Sequence, residues 1–251
     1  MKNSSFTDRE RVYRFANANV AIRAMYPDVV TLCGDYRIDG EPELVIHTSQ
    51  TDIDFERECS LRENMLEGHA VHHYPDGYLE TLAVYRAIAE WMPTRDACLM
   101  HGSCLAVDGE GFLFTAKSGT GKSTHARLWR EYLGNRAVMV NDDKPLIRMT
   151  DGGAVAYGTP WDGKHHLSSN IAVPLKAICV LERSAENHIR AITPSEALPM
   201  LLAQVYRPMD AGAMVRTLNL IDRLAGCVRL YRLGCNMNIE AAKVAYNTMK
   251  G

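Results

Sequence analysis

A glycine-containing stretch in the middle of the chain has the residue types needed to bind a row of phosphate groups. Residues 116–123 read AKSGTGKS. Gly119 and Gly121 permit the tight backbone path that turns successive N–H groups toward phosphate oxygens. Lys122 is suited to the β- and γ-phosphates, and Ser123 offers a hydroxyl to Mg²⁺. The stretch therefore predicts a site for a nucleoside triphosphate, with ATP as the donor, and for magnesium.

The predicted nucleotide contacts extend over the loop and the start of the following helix. They are Ser118, Gly119, Thr120, Gly121, Lys122, Ser123 and Thr124. The apolar run GFLFTA precedes the loop and a helical pattern ending at Gly134 follows it, so we expect strand, loop and helix in that order. The helix would aim its positive end at the same anion. This context disfavours the alternative, a glycine-rich turn with a chance lysine and serine.

Two adjacent carboxylates, Asp142 and Asp143, directly follow the strand-like residues 137–141. Carboxylates at a strand end can hold magnesium and can orient or deprotonate an attacking hydroxyl. One helix and one turn separate them from Ser123, which suits the next strand of a β-α-β unit. We predict Ser123, Asp142 and Asp143 as magnesium ligands and both aspartates as catalytic residues, and which aspartate has which role stays open. The structural alternative is a polar turn.

Two further segments carry candidate catalytic side chains. His101 lies in MHGSC, where Gly102 and Ser103 interrupt an otherwise apolar strand. The alternative for His101 is an ordinary core or surface histidine. Residues 157–166 read YGTPWDGKHH, a loop that could present Lys164 to a transferred phosphoryl group. The alternative there is a surface turn with a solvated lysine.

The N-terminal part, residues 1–95, is predicted to be a small β-rich α+β annex on the side of the acceptor substrate. Its strand-like runs are VYRFANANVAIRA, DVVTLC and ELVIHTS. Residues 51–75 are polar and are expected to be irregular. An amphipathic helix over about residues 78–92 leads into the main domain.

Residues 96–251 are predicted to form the nucleotide-binding catalytic domain. A turn at DGEG makes a hairpin of the strands on either side of it. The later patterns predict strands at AVMVN, PLIRM, AVAYG, KAICVLER and VRLYRL, and helices at about 194–206, 211–225 and 238–249. Because the strands after Asp143 lack intervening helices, we expect an α/β fold with a mixed β-sheet and not a doubly wound one.

The composition of the chain limits the classes of molecule that it is expected to bind. The chain has 251 residues, 47% of them hydrophobic, with a formal net charge of −2 and a pI near 6.5. No positive field is expected to attract nucleic acid or an anionic membrane surface. The seven cysteines are scattered without a C-x-x-C pair, and no run approaches the ~18 apolar residues that suggest a membrane helix. We therefore expect a cytoplasmic protein with reduced thiols.

With these features in order, the chain resembles the catalytic domain of the HPr kinase/phosphorylase family, which shares its nucleotide-binding core with the phosphoenolpyruvate carboxykinases. The resemblance spans about residues 97–235 and is carried by His101-x-Ser103, SGTGKS, a helix and the aspartate pair. The GTPWDGK segment is similar to kinase-like relatives outside the true HPr kinases, including those tied to peptide natural products. AVAY, at residues 154–157, has no acidic residue where HPr kinases place a metal-binding glutamate.

The resemblance implies a P-loop kinase core in which Lys122 and backbone amides hold the phosphates. It also implies Ser123 and one aspartate on magnesium, the other aspartate as base, and His101 near the transferred phosphate. Relatives often assemble, so a homo-oligomer is a further expectation that the resemblance leaves open.

The leading functional hypothesis is a kinase that transfers the γ-phosphoryl group of ATP to a hydroxyl of a small metabolite or a peptide serine. A carboxykinase-like reaction would need additional metal-binding residues and a set of arginines. A nucleotide-gated binding protein without transfer activity is the non-enzymatic alternative. The carboxylate pair separates these hypotheses, since a sensor needs one magnesium ligand and has little use for a base.

Overall fold

The computed structural model describes residues 10–66, 70, 72–163 and 165–251. The chain divides into two compact units, Met1–Ala89 and Glu90–Gly251. None of the helices in these described ranges combines the length and apolar character needed to cross a bilayer.

The N-terminal part of the chain contains four strands and three helices in its described residues. In chain order they are β1 (Arg11–Phe15), β2 (Ala18–Arg23), α1 (Pro27–Leu32), β3 (Arg37–Ile38), β4 (Leu44–His47), α2 (Gln50–Leu66) and α3 (Asp76–Trp91). The strands form a sheet in the order β3-β1-β2-β4, with β2 parallel to β4. The hairpin between β1 and β2 turns at Ala16 and Asn17, whose φ angles of 47° and 59° suit a tight two-residue turn.

Two predictions for this region are wrong. DVVTLC is helix α1 and not a strand, because Pro27 and Asp28 stand in its first turn, where a fixed φ and a negative charge favour a helix start. The stretch predicted as irregular contains α2. That helix is polar over most of its surface and so lacks an apolar period. Among its described side chains, Ile53 and Glu56 are buried, and Glu56 pairs with Arg86 of α3.

Glu80 of α3 is a fully buried carboxylate that joins three segments of the first unit. Its oxygens accept hydrogen bonds from the backbone N–H groups of Met25, at 2.6 Å, and Tyr26, at 2.8 Å, and from the hydroxyl of Thr48. A buried acceptor with three donors fixes the loops after β2 and β4 against α3. Glu80 is therefore structural.

We predict that Glu80→Gln lowers the stability of the first unit by about 1–3 kcal/mol, because an amide NH₂ replaces one of the two acceptor oxygens and leaves buried donors unpaired. The measurement is urea denaturation followed by far-ultraviolet circular dichroism. Glu63→Gln on the exposed face of α2 is the matched control and should leave the midpoint unchanged. Equal midpoints for the Glu80 variant and the parent would contradict the structural role.

The second unit is built on a mixed sheet of nine strands in the described residues. They are β5 (Ala97–Leu99), β6 (Ser103–Val107), β7 (Glu110–Thr115), β8 (Ala137–Asn141), β9 (Leu146–Thr150), β10 (Gly153–Tyr157), β11 (Ala172–Arg183), β12 (His188–Ala191) and β13 (Arg229–Cys235). The order is β5-β9-β10-β11-β7-β6-β8, and β13 pairs with β11 and β12. The long strand β11 runs antiparallel to β10 and then parallel to β7 and β13. The predicted α/β class with a mixed sheet is confirmed.

Helices cover both faces of this sheet. They are α4 (Lys122–Leu133), α5 (Pro194–Gln204), α6 (Ala211–Cys227) and α7 (Ile239–Met249). One core packs α4 and α7 around Trp129, and the other packs α5 and α6 around Leu201 and Ile221. The two cores pack against opposite faces of the sheet and so hold the ends of its central strands in place.

Two features of the sheet differ from expectation. Strand β12 was not predicted. In addition, β7 and β8 are not neighbours as expected for the β-α-β unit, because β6 lies between them and is antiparallel to both. The hairpin places β6 there, and β7 and β8 still run in the same direction. Their carboxyl ends therefore share one edge of the sheet, where the aspartate pair and residues 116–123, the predicted phosphate loop, begin.

Candidate active site

The phosphate loop connects the end of β7 to the start of α4. Gly119 and Gly121 adopt φ angles of 72° and 122°, a region that side-chain-bearing residues rarely occupy. Within the described residues no side chain caps the N-terminus of α4. The partial positive charge of that helix end is therefore available to an anion.

Lys122 is the buried cation of the loop, with a relative exposure of 8%. Its Nζ donates to the carbonyl of Ala116 at 3.1 Å. Burial lowers the pKa of Lys122, and the negative charge of Asp143 opposes that shift. Ala116, where the usual motif has glycine, is fully buried, and its carbonyl holds the lysine in place. A desolvated ammonium with one carbonyl partner is well suited to bind a phosphate.

Asn141, at the end of β8, organises the aspartate turn. Its Oδ1 accepts from the N–H of Asp143 at 2.8 Å and from that of Lys144 at 2.5 Å. Its Nδ2 donates to the carbonyl and hydroxyl of Thr159 at 2.9 and 3.1 Å, and to the carbonyl of Trp161 at 3.3 Å. The side chain is fully buried and connects the aspartate turn to the GTPWDGK loop.

Asp143 is held between two basic side chains. Its Oδ1 lies 3.2 Å from Nε2 of His101, and its Oδ2 lies 3.1 Å from Nζ of Lys144. Burial would raise the pKa of Asp143, but the hydrogen bond from His101 and the charge of Lys144 outweigh it and hold the pKa below its ordinary value. Asp143 is therefore ionised at neutral pH, and about a quarter of its side chain, 24%, is exposed.

Asp142 has a different environment. It is 4% exposed, its Oδ1 accepts from the N–H of Gly163 at 2.6 Å, and its Oδ2 has no hydrogen-bond partner among the described residues. Burial raises the pKa of Asp142 and the charges of Asp162 and Asp143 add to the rise, while the Gly163 hydrogen bond opposes it. A buried carboxylate oxygen without a partner fits a cation ligand, so the residues present are compatible with magnesium.

His101 lies in the break between β5 and β6, against the aspartate turn. The N–H of Gly102 donates to the carbonyl of Asp143 at 2.9 Å, and the hydroxyl of Ser103 donates to the carbonyl of Asp142 at 2.9 Å. A Cβ at position 102 would come within 2.8 Å of the carbonyl of Phe114. The polar interruption seen in the sequence thus supports the turn that carries both aspartates.

Most of the predicted site residues line one cavity of about 1010 Å³. Its lining contains His101, Ser118, Gly119, Gly121, Lys122, Ser123, Thr124, Asp142 and Asp143. Thr120 lines an adjoining cavity of about 540 Å³ on the other side of the loop, with Gly119, Gly121 and Thr124 shared between the two. Lys164 lies outside the described residues. In the described part of the chain, no three His, Cys, Asp or Glu residues cluster as a metal site.

The structure also adds residues to which the sequence had assigned no role. Arg183 of β11 donates from Nη2 to the carbonyl of Gly119 at 2.5 Å, and Arg127 and Arg130 of α4 line the larger cavity. The two α4 arginines follow Ser123 by four and seven residues, so helical spacing could have found them. No local signal connects Arg183 to the loop, because Arg183 and Gly119 are 64 residues apart in the chain.

Together, the fold and the site define a mixed α/β protein with a glycine-containing phosphate loop and an acidic turn facing one cavity. Residues 78–207 match the sequence model of the family described as "ScmC: SynChlorMet cassette protein ScmC". Because that match covers just over half of the chain, the chain belongs to the ScmC family.

No curated protein matches the chain. Among solved structures, the chain is similar to the Hpr(Ser) kinase/phosphatase from Coxiella burnetii, at 12% identity and a TM-score of 0.35. That alignment covers 61% of this chain and 99% of the other.

The two aspartates should respond oppositely to neutralisation when the protein is free of magnesium. Asp142→Asn removes a buried charge whose pKa is raised by folding, so we expect a gain in stability on the order of 1 kcal/mol. Asp143→Asn removes the partner of His101 and Lys144, so we expect a loss of similar size. Thermal denaturation in a chelating buffer at neutral pH measures both. A destabilised Asp142→Asn protein would contradict the prediction that the charge of Asp142 costs stability.

Proposed function

We propose that this chain is an ATP- and Mg²⁺-dependent kinase that transfers the γ-phosphoryl group to a hydroxyl of a small metabolite or a peptide serine. The observation that carries the proposal is that the phosphate loop and the His101–Asp143 pair line the same cavity. A protein that only binds nucleotide needs a phosphate grip and a magnesium ligand. Asp143 is a second carboxylate, partly exposed and paired with His101 and Lys144, and such a group favours a reaction of an acceptor hydroxyl at this place.

The donor phosphates are assigned to the loop and the start of α4. Lys122 would contact the β- and γ-phosphates, and the backbone N–H groups of residues 118–119 and 121–124 would surround them. Arg183 donates to the carbonyl of Gly119, and the N–H of Thr120 in the same peptide donates to the carbonyl of Lys117 at 3.2 Å, so these two contacts fix the path of the loop. Of the predicted nucleotide-binding residues, Thr120 lines the smaller cavity and the other six line the larger one.

Ser123 and Asp142 are the residues proposed to hold magnesium. The unpartnered Oδ2 of Asp142 supports this choice over Asp143, whose two oxygens already contact His101 and Lys144. One or two protein ligands complemented by phosphate oxygens are usual for magnesium, so a larger acidic cluster is not needed. When bound, the ion neutralises charge on the β- and γ-phosphate oxygens.

Asp143 is proposed to orient the acceptor hydroxyl and take its proton. The acceptor oxygen forms a bond to the γ-phosphorus while the bond from that phosphorus to the β–γ bridging oxygen breaks, and the electron pair leaves with ADP. Because the pKa of Asp143 is lowered, it receives the proton late, when bond formation has made the hydroxyl acidic. His101 and Lys144 keep the carboxylate in place, and Lys164 is proposed to contact the transferred group.

The smaller cavity is proposed to hold the nucleoside. Leu181 and Met237 give it apolar surface for a base, and Asn236 adds hydrogen-bonding groups. His125, also in its lining, accepts at Nε2 from the indole of Trp129 at 3.0 Å, so its proton resides on Nδ1. That Nδ1 is buried without a partner among the described residues, as a donor awaiting an acceptor atom would be.

Binding of the donor is tested first. We predict that Lys122→Ala weakens binding of the magnesium complex of a non-hydrolysable ATP analogue by about tenfold or more, because a buried charge-assisted contact to phosphate is lost. Isothermal titration calorimetry measures it. The matched control is Lys117→Ala, an exposed lysine in the same loop that lines neither cavity, and its affinity should equal that of the parent.

Transfer is tested by acceptor-dependent release of ADP from MgATP in the presence of pooled metabolites or serine peptides. We predict that Asp143→Asn retains nucleotide affinity and loses turnover by about 100-fold or more, which corresponds to roughly 3 kcal/mol of barrier. If the parent binds nucleotide tightly but no pool stimulates ADP release, a nucleotide-gated binding protein is the correct description. Parent-like turnover of Asp143→Asn would remove that residue from the reaction.

A further inference from the structure

We propose that the acceptor carries an oxyanion, a carboxylate or a phosphate, and that Arg130, assisted by Arg127, binds it. This inference rests on the proposed kinase function and names the class of its second substrate: a hydroxyl compound with an anionic group at its far end. Both arginines line the same cavity as Lys122 and Asp143.

The two arginines lie on the face of α4 that continues from Ser123. Positions four and seven residues apart share one side of a helix, and at 1.5 Å per residue Arg127 and Arg130 stand about 6 and 10 Å beyond Ser123 along the axis. The other side of α4 packs Leu128 and Trp129 into the core. The arginine face is therefore the one turned to the cavity.

The position of Arg130 separates it from the donor phosphates. The loop amides and the N-terminus of α4 hold those phosphates at one end of the helix, whereas Arg130 lies about two turns further on. Met139 of β8 and Leu167 border the same cavity and offer apolar surface. A molecule with its hydroxyl at Asp143 would pass this surface and place its other end near Arg130.

The charges favour an anion at that end. Arg130 is half-buried and makes no side-chain hydrogen bond or ion pair with the described residues. Arg127 pairs with Glu131 at 3.1 Å, but both side chains are exposed, at 61% and 58%, so this pair is weak and can open. Apart from Asp142 and Asp143, the described lining of the cavity has no acidic side chain. Guanidinium groups bind carboxylates and phosphates in a bidentate manner.

The first experiment measures anion binding when the phosphate loop is filled. The protein is saturated with the magnesium complex of a non-hydrolysable ATP analogue and titrated by saturation-transfer NMR with glutarate, with inorganic phosphate, and with glutaramide as the uncharged control. We expect glutarate or phosphate to bind and glutaramide not to bind. Tighter binding of glutarate identifies the anionic group of the acceptor as a carboxylate, and tighter binding of inorganic phosphate identifies it as a phosphate.

Variants locate that binding. Arg130→Gln should weaken it by about tenfold or more, as expected for the loss of a charge-assisted contact. Glu131→Gln releases Arg127 and should leave the affinity equal or tighter. Arg216→Gln, which removes an exposed arginine of α6 outside the cavity, is the matched control and should change nothing. Equal affinity in Arg130→Gln and the parent, or equal binding of glutaramide, overturns the inference.

The second experiment separates this inference from the proposed function. ADP release is compared between serine peptides and hydroxy acids and their matched amides. Both proposals are supported if the parent transfers phosphate to the acids and if Arg130→Gln raises the KM for those acids while kcat changes little. Transfer to amides as efficient as transfer to acids leaves the kinase in place and overturns the anionic acceptor. Anion binding that depends on Arg130, without transfer to any compound, keeps the anion site and rejects the kinase.

Discussion

The side-chain amide of Asn141 is the interaction on which the candidate site depends. It lies buried at the end of β8, accepts from the backbone of the aspartate turn and donates to the backbone of the GTPWDGK loop. Because both sides of one amide are satisfied by two different loops, neither loop can move without leaving a buried polar group unpaired. Asp142 then reaches the N–H of Gly163, and Asp143 reaches His101.

This arrangement gives two neighbouring carboxylates different chemistry. Asp143 is stabilised in its charged form by His101 and Lys144, whereas Asp142 is buried with one oxygen unpartnered. Adjacent residues on a turn point in different directions. Asp143 therefore contacts His101 and Lys144, whereas Asp142 lies buried against the N–H of Gly163 in the cavity wall. A buried carboxylate with an unpartnered oxygen lowers the stability of the fold, and the proposed magnesium ion would offset that cost.

The pattern of the chain predicted most elements of the second unit and fewer of the first. Helices α3 to α7, the hairpin of β6 and β7, and strands β8 to β11 and β13 are confirmed. Helix α2 was missed because its polar sequence carries no apolar period, and α1 because a short apolar run suits either a helix or a strand. The prediction of transfer activity is untested, and family membership does not name a substrate.

The sequence by itself predicted the order strand, glycine-containing loop and helix around residues 116–123, and the structure has it, because the geometry of such a segment is local. Phosphate binding by this loop stays a prediction. The sequence also indicated the acidic turn. Only the tertiary structure decided that β6 separates β7 from β8, that Asn141 joins two loops, and that Arg130 borders the cavity of Asp143. These features depend on contacts between residues far apart in the chain, and such contacts are set by packing, which spacing along a sequence does not encode.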